Sequence, residues 1–193
     1  MQPVRVVSGT VAPLDRVSVD TDQIIPKQFL KRIERTGYGE FLFYDWRKDP
    51  AFELNRPEYA GATILVTGRN FGCGSSREHA AWALQDHGFE VVVAPSFGDI
   101  FAANAAQIGL VTIALPEAVV RQLIAAAELT VDLEALTITP PRGRPIAFEF
   151  DSFRRHKLLH GLDDIGLTLQ HEDEIAAFES TRAGRVETTA LPA

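Results

Sequence analysis

Ile64-Leu65-Val66-Thr67-Gly68-Arg69-Asn70-Phe71-Gly72-Cys73-Gly74-Ser75-Ser76-Arg77-Glu78-His79-Ala80-Ala81-Trp82-Ala83-Leu84 changes character twice, and both changes bear on the fold. Gly61 to Thr67 is a continuous apolar run, the pattern of a buried strand. Through Ala80, Ala81, Ala83 and Leu84 the pattern becomes helical, with Gly88 as its stop. A second strand, Phe89 to Ala94, follows at once. Strand, helix and strand within the length of one crossover predict a right-handed βαβ unit with parallel strands. The glycine turn then falls at the carboxyl end of the first strand, where open α/β sheets bind ligands.

The residues of that turn suit a small anion. Gly72 and Gly74 let the backbone turn tightly and approach a ligand, and the first N–H groups of a helix favour negative charge just ahead of Ser75. Arg77 supplies a planar fork for a carboxylate, and a hydroxyl beside it has its alkoxide form favoured. The Ser75-Ser76-Arg77-Glu78 spacing also matches a capping box, which accounts for one serine but not for two glycines, a second serine and an arginine. Cys73 near His79 is a weaker nucleophile candidate, because no Asn or Asp partner is identifiable by spacing. A P-loop is excluded by the missing Gly-Lys-Ser/Thr, and a dinucleotide fingerprint by Arg77 where its third glycine belongs.

Working outward, Val4 to Val11 reads as a strand, and Asp15 to Pro26 as an acidic loop in which Asp22 caps a following turn and Pro26 starts a helix. Gln28 to Arg35 is basic and apolar and ends in Thr36-Gly37-Tyr38-Gly39, a mobile, substrate-facing loop. Phe41, Leu42, Phe43, Tyr44 and Trp46 form an aromatic cluster suited to core packing. Ser96 to Ile108 is expected as a helix, Leu110 to Leu115 as a strand and Pro116 to Glu128 as a helix. Leu129 to Leu133, Leu136 to Thr139 and Ile146 to Phe150 read as a small β meander. Ser152 to Leu159 and Asp164 to Phe178 close the chain with helices, giving one domain over residues 1–179 and a flexible polar tail over 180–193.

With 193 residues, 46% of them hydrophobic, the chain can bury a sizeable single core. The formal charge of −7 argues against nucleic acid or an anionic membrane as partner. No apolar run is of membrane-spanning length, and Met1 to Arg5 lacks the apolar region of a signal peptide. One cysteine precludes an internal disulfide, so the expected location is cytoplasmic. His156 and His160 are helical neighbours, but no third ligand accompanies them and Arg154, Arg155 and Lys157 oppose a cation, so no metal site is assigned.

Four stretches together resemble the small subunits of 3-isopropylmalate dehydratases, in the aconitase swivel-domain superfamily: Asp20-Thr21-Asp22-Gln23-Ile24-Ile25-Pro26, Phe41 to Arg47, Asn70 to Ala80, and Ala94-Pro95-Ser96-Phe97-Gly98-Asp99-Ile100-Phe101. The resemblance covers most of the chain. It implies an α/β fold, a swivelling β/β/α domain similar to the mobile domain of aconitase, and a separate large subunit that holds a [4Fe–4S] cluster, with the active site between the two. No cofactor is expected on this chain itself. The implied reaction interconverts 2- and 3-isopropylmalate, small hydroxy-dicarboxylates, through isopropylmaleate in leucine biosynthesis. Ser75 matches the family's catalytic serine, and Ser76 and Arg77 its substrate-binding residues.

Aconitases carry a further substrate arginine upstream, for which Lys27, Lys31, Arg32, Arg35 and Arg47 are the available basic groups. Its absence fits an isopropyl group in place of a carboxylate, with Phe29, Leu30 and Ile33 as the apolar wall that sets specificity. The alternatives carried forward are the small subunit of a hydro-lyase acting on citramalate or homoaconitate, and a non-catalytic carboxylate-binding regulatory subunit.

Overall fold

A computed structural model describes residues 1–75 and 77–181; Ser76 and, of the tail placed above at 180–193, residues 182–193 lie outside the described residues. Seven strands form one mixed sheet among them: β1 (Val6–Leu14), β2 (Ile64–Thr67), β3 (Val91–Ala94), β4 (Val111–Ala114), β5 (Glu128–Asp132), β6 (Thr137–Thr139) and β7 (Ile146–Ala147). Their spatial order is β4-β3-β2-β1-β5-β6-β7. The pairs from β1 to β4 are parallel, and those from β1 through β5 and β6 to β7 are antiparallel. The helices are α1 (Thr21–Ile24), α2 (Glu78–His87), α3 (Asp99–Ile108), α4 (Glu117–Leu123), α5 (Ser152–His160), α6 (Asp164–Leu169) and α7 (Glu172–Thr181).

Every residue of β2 and β3 is buried, because both faces of the sheet are covered. Successive side chains point to opposite faces and so sort into two cores. Ala12, Leu14, Leu65, Val92 and Ala94 pack with α2, α3 and the aromatic segment around Tyr38, Leu42 and Phe43. Val7, Val11, Ile64, Val66, Val91 and Ile113 pack on the other face with Leu123 of α4 and Leu158 of α5.

The expected strand, helix and strand after Gly61 are present, with Gly88 in the left-handed conformation as the cap of α2. The expected meander joins the same sheet through β5, which pairs with β1, Val6 opposite Asp132 and Thr10 opposite Glu128. Several boundaries are corrected. The first strand runs over Val6–Leu14, and α4 ends at Leu123, so that Glu128 enters a strand. The third meander strand is only Ile146–Ala147, and the last helical stretch divides into α6 and α7. Asp20 rather than Asp22 caps the acidic turn. Its carboxylate accepts from the Gln23 N–H while the Gln23 side chain accepts from the Asp20 N–H, a reciprocal box that Asp22, two residues further on and already inside the helix, is too late to make.

Candidate active site

Three stretches distant in sequence converge at the carboxyl ends of β1, β2 and β3. After β2 the chain passes through Asn70, Gly72 and Gly74, all with positive φ. On one side this turn is tied to the segment after β3: Phe71 N–H donates to the Ser96 carbonyl, Gly98 N–H to the Phe71 carbonyl, and Asn70 N–H to Ser96 Oγ. On the other side it is tied to the acidic segment. Gly72 N–H donates to the Val19 carbonyl, Thr21 N–H to the Cys73 carbonyl, and the buried Thr21 hydroxyl to the Ser75 carbonyl at 2.5 Å. Gly72 permits this closeness, since a Cβ there would lie 2.2 Å from Phe101 Cγ.

The capping box expected as the alternative for Ser75 and Glu78 is not formed. Helix α2 begins at Glu78, and its N-cap is Arg77, which makes no side-chain capping bond. Among the described residues no side chain caps the first N–H groups of α2, the condition for an anion at a helix N-terminus. Ser75 is exposed, and its hydroxyl has no hydrogen-bond partner among the described residues. The Arg77 side chain is only 16% exposed and forms an ion pair with Asp22 Oδ1. Its Nη1 is buried without a properly aligned hydrogen bond. The close contact of the Arg77 guanidinium holds the Asp22 carboxyl below its usual range, against the opposing effect of burial.

The segment named for specificity leans on the next turn of α2. Arg35 lies over Trp82 at 5.7 Å, and Tyr38 packs edge-on to His79 at 5.2 Å. Phe29 is stacked on Phe41 at 4.0 Å, and Phe29 and Leu30 are half-buried against the core. Ile33 is 95% exposed, the one of the three that faces outward. Cys73 is half-buried, with its backbone carbonyl committed to Thr21. Among the described residues no group of three or more His, Cys, Asp or Glu side chains is arranged to hold a metal, and His160 Nδ1 instead meets the His156 carbonyl.

Two features of this region escaped the sequence reading: the pairing of Asp22 with Arg77, and a clasp below the aromatic segment. Arg47 Nε donates to the Leu42 carbonyl at 2.9 Å, Nη1 to the Leu54 carbonyl, and Nη2 meets His87 Nε2 at 3.0 Å. This structural commitment removes Arg47 from the basic groups available to a substrate. Burial, and then the Arg47 charge, push the His87 imidazole below its ordinary pKa, outweighing a bond to the Gly39 backbone. An unfolded His87 accepts a proton near its ordinary pKa of 6.5 while the folded one resists it, so native stability falls as pH drops below that value. Urea midpoints are expected to be flat above neutrality and to decline as pH falls below about 6.5, with the decline reduced in His87→Gln. His79, likewise shifted down by burial, accounts for part of what remains. An identical slope in the variant would remove His87 from the account.

A family model described as the aconitase C-terminal domain matches residues 1–118, the span that contains this turn. A second, described as the C-terminal domain of the 3-isopropylmalate dehydratase small subunit, matches residues 164–185. The 3-isopropylmalate dehydratase small subunit of Acidobacterium capsulatum is 59% identical over 191 residues, covering 96% of this chain and 93% of the relative. That of Bacillus subtilis is 53% identical over 194 residues, covering 95% and 98%. The crystal structure of a 3-isopropylmalate dehydratase from Methanocaldococcus jannaschii superposes with a TM-score of 0.68 at 26% identity, covering 90% of this chain and 99% of that one. The chain belongs to the 3-isopropylmalate dehydratase small-subunit family, a family of hydro-lyase subunits.

Proposed function

We propose that this chain supplies the proton-transfer and carboxylate-binding half of an enzyme that isomerises 2- and 3-isopropylmalate through isopropylmaleate in the cytoplasm. The observation that carries the reading is an exposed Ser75 hydroxyl, without a partner among the described residues, beside a helix N-terminus that no described side chain caps and the largely buried cation of Arg77. Dehydrating a hydroxy acid requires removal of a carbon-bound proton and departure of hydroxide. Ser75 as alkoxide takes the proton, helped by the positive end of α2 and the Arg77 charge, and returns it when water adds at the neighbouring carbon. Arg77 grips a substrate carboxylate, and Ser76 donates a further hydrogen bond to it. Relatives at 52–59% identity that carry the isopropylmalate name favour this substrate over citramalate or homoaconitate.

Lewis acidity toward the departing hydroxyl is what a [4Fe–4S] cluster supplies when bound. The donor set here does not fit such a cluster, since the chain has one cysteine where several thiolates are usual. The cluster is therefore assigned to a large subunit that closes over the turn. The purified chain should not turn over isopropylmalate, and adding a cluster-loaded large subunit under anaerobic conditions should restore isopropylmaleate formation. Turnover by the chain alone would refute the divided site.

Specificity is assigned to the segment carrying Phe29, Leu30 and Ile33. Because Ile33 alone is fully outward, Ile33→Arg tests the wall without disturbing the core. In the assembled enzyme it should shift relative kcat/KM toward a substrate with an additional carboxylate by about tenfold or more, since an unpaired buried carboxylate costs more than a misplaced methylene. An unchanged substrate ratio would show that Ile33 does not face the side chain.

A further inference from the structure

We propose that Asp22 is a positioning residue for the substrate-carboxylate clamp, holding Arg77 by one edge so that the rest of its fork faces the ligand; this rests on the reading of Arg77 as the clamp. Asp22 has no duty as a helix cap, because Asp20 performs it with Gln23. Its carboxylate instead reaches the buried Nη1 of Arg77, across a sequence gap that only the folded turn closes.

The manner of the contact distinguishes it from a structural ion pair in the same molecule. Arg16 and Glu53 pair through two aligned bonds, Nε to Oε1 and Nη2 to Oε2, both 2.9 Å, which spends the fork. Asp22 touches Arg77 through Nη1 and makes no aligned two-bond fork with it. A single-edge contact fixes the direction of a planar guanidinium and leaves donors for a second carboxylate.

The support beneath Asp22 is rigid. Helix α1 is anchored to the catalytic turn by the Thr21 hydroxyl on the Ser75 carbonyl and the Thr21 N–H on the Cys73 carbonyl, so Asp22, Ser75 and Arg77 share one frame. Asp22 stays ionised because Arg77 first, and then Lys27 through its charge and backbone N–H, favour the carboxylate. With its side chain 51% exposed against 16% for Arg77, Asp22 lies on the solvent side of the pair.

The test uses the complex reconstituted with a large subunit and compares Asp22→Asn, Asp22→Glu, Arg77→Lys and the Asp22→Asn/Arg77→Lys double variant. Asp22→Asn should raise KM for 2-isopropylmalate about tenfold while kcat stays within about threefold, the pattern of lost substrate binding without lost chemistry. Asp22→Glu should recover part of that loss. In the Arg77→Lys background Asp22→Asn should add nothing, because Asp22 acts only through the fork it holds. A normal or lowered KM in Asp22→Asn overturns the proposal, the lowered value marking Asp22 as a competitor of the substrate. Full additivity in the double variant also overturns it. Should Arg77→Lys by itself keep wild-type kinetics, the clamp reading fails first and the positioning role falls with it.

Discussion

Ser75→Ala, reconstituted with a large subunit, is expected to lose kcat by about 10²–10⁴-fold, the range for removing a positioned proton-transfer group. The hydroxyl has no structural bond among the described residues to lose. The contact that does fix this position, from the Thr21 hydroxyl, goes to the backbone carbonyl, which alanine retains. The thermal midpoint of the subunit and its assembly should therefore be unchanged, and KM should move little because Arg77 is intact. Retention of more than about a tenth of kcat would assign the proton to another group and leave Ser75 a binding role.

Gly72→Ala is expected to have the largest effect on stability. At φ +72° an L side chain is disfavoured, and the new Cβ would lie 2.2 Å from Phe101 Cγ. Phe101 cannot swing away freely, since it is buried and packed against Phe71 and Phe97. Left-handed strain of about 1–2 kcal/mol and overpacking of about 1–3 kcal/mol together predict a loss of roughly 2–5 kcal/mol. Gly61→Ala provides the comparison: its φ is +76°, but its Cβ would meet nothing within 4 Å, so only the backbone component applies. Equal urea midpoints for the two variants would mean that the Phe101 contact relaxes at no cost.

The part of the fold around β2, α2 and β3 was legible because its signals are local. A buried strand shows as a continuous apolar run, and a helix stop shows as a glycine. The glycine turn was also legible as a turn, and its anion-site reading is carried forward as a proposal; among the described residues no side chain caps the start of α2. Pairing of β5 with β1 was not legible, because Val6 meets Asp132 through a register that no nearby residue encodes. The assignment of the two acids failed for a different reason. Asp20 and Asp22 are chemically equivalent as caps, and which one has a guanidinium opposite depends on where residues 72–77 pass in space. Gln23, three residues after Asp20, was the available signal. Arg47 stood inside a family motif, yet its role as a clasp depends on His87, which only packing brings near.

The central place of β1 governs the order in which the molecule can be made. β1, made before the other strands of this sheet, is flanked on one side by β2 and on the other by β5, so its two edges are satisfied at very different moments of synthesis. Residues 64–67 arrive early enough to cover one edge and to bring the Ser75 turn against Thr21. The other edge waits for residues 128–132, and until then it presents unpaired backbone groups to any passing strand. A nascent chain stalled short of residue 128 thus carries its glycine turn on a sheet whose β1 edge is still open.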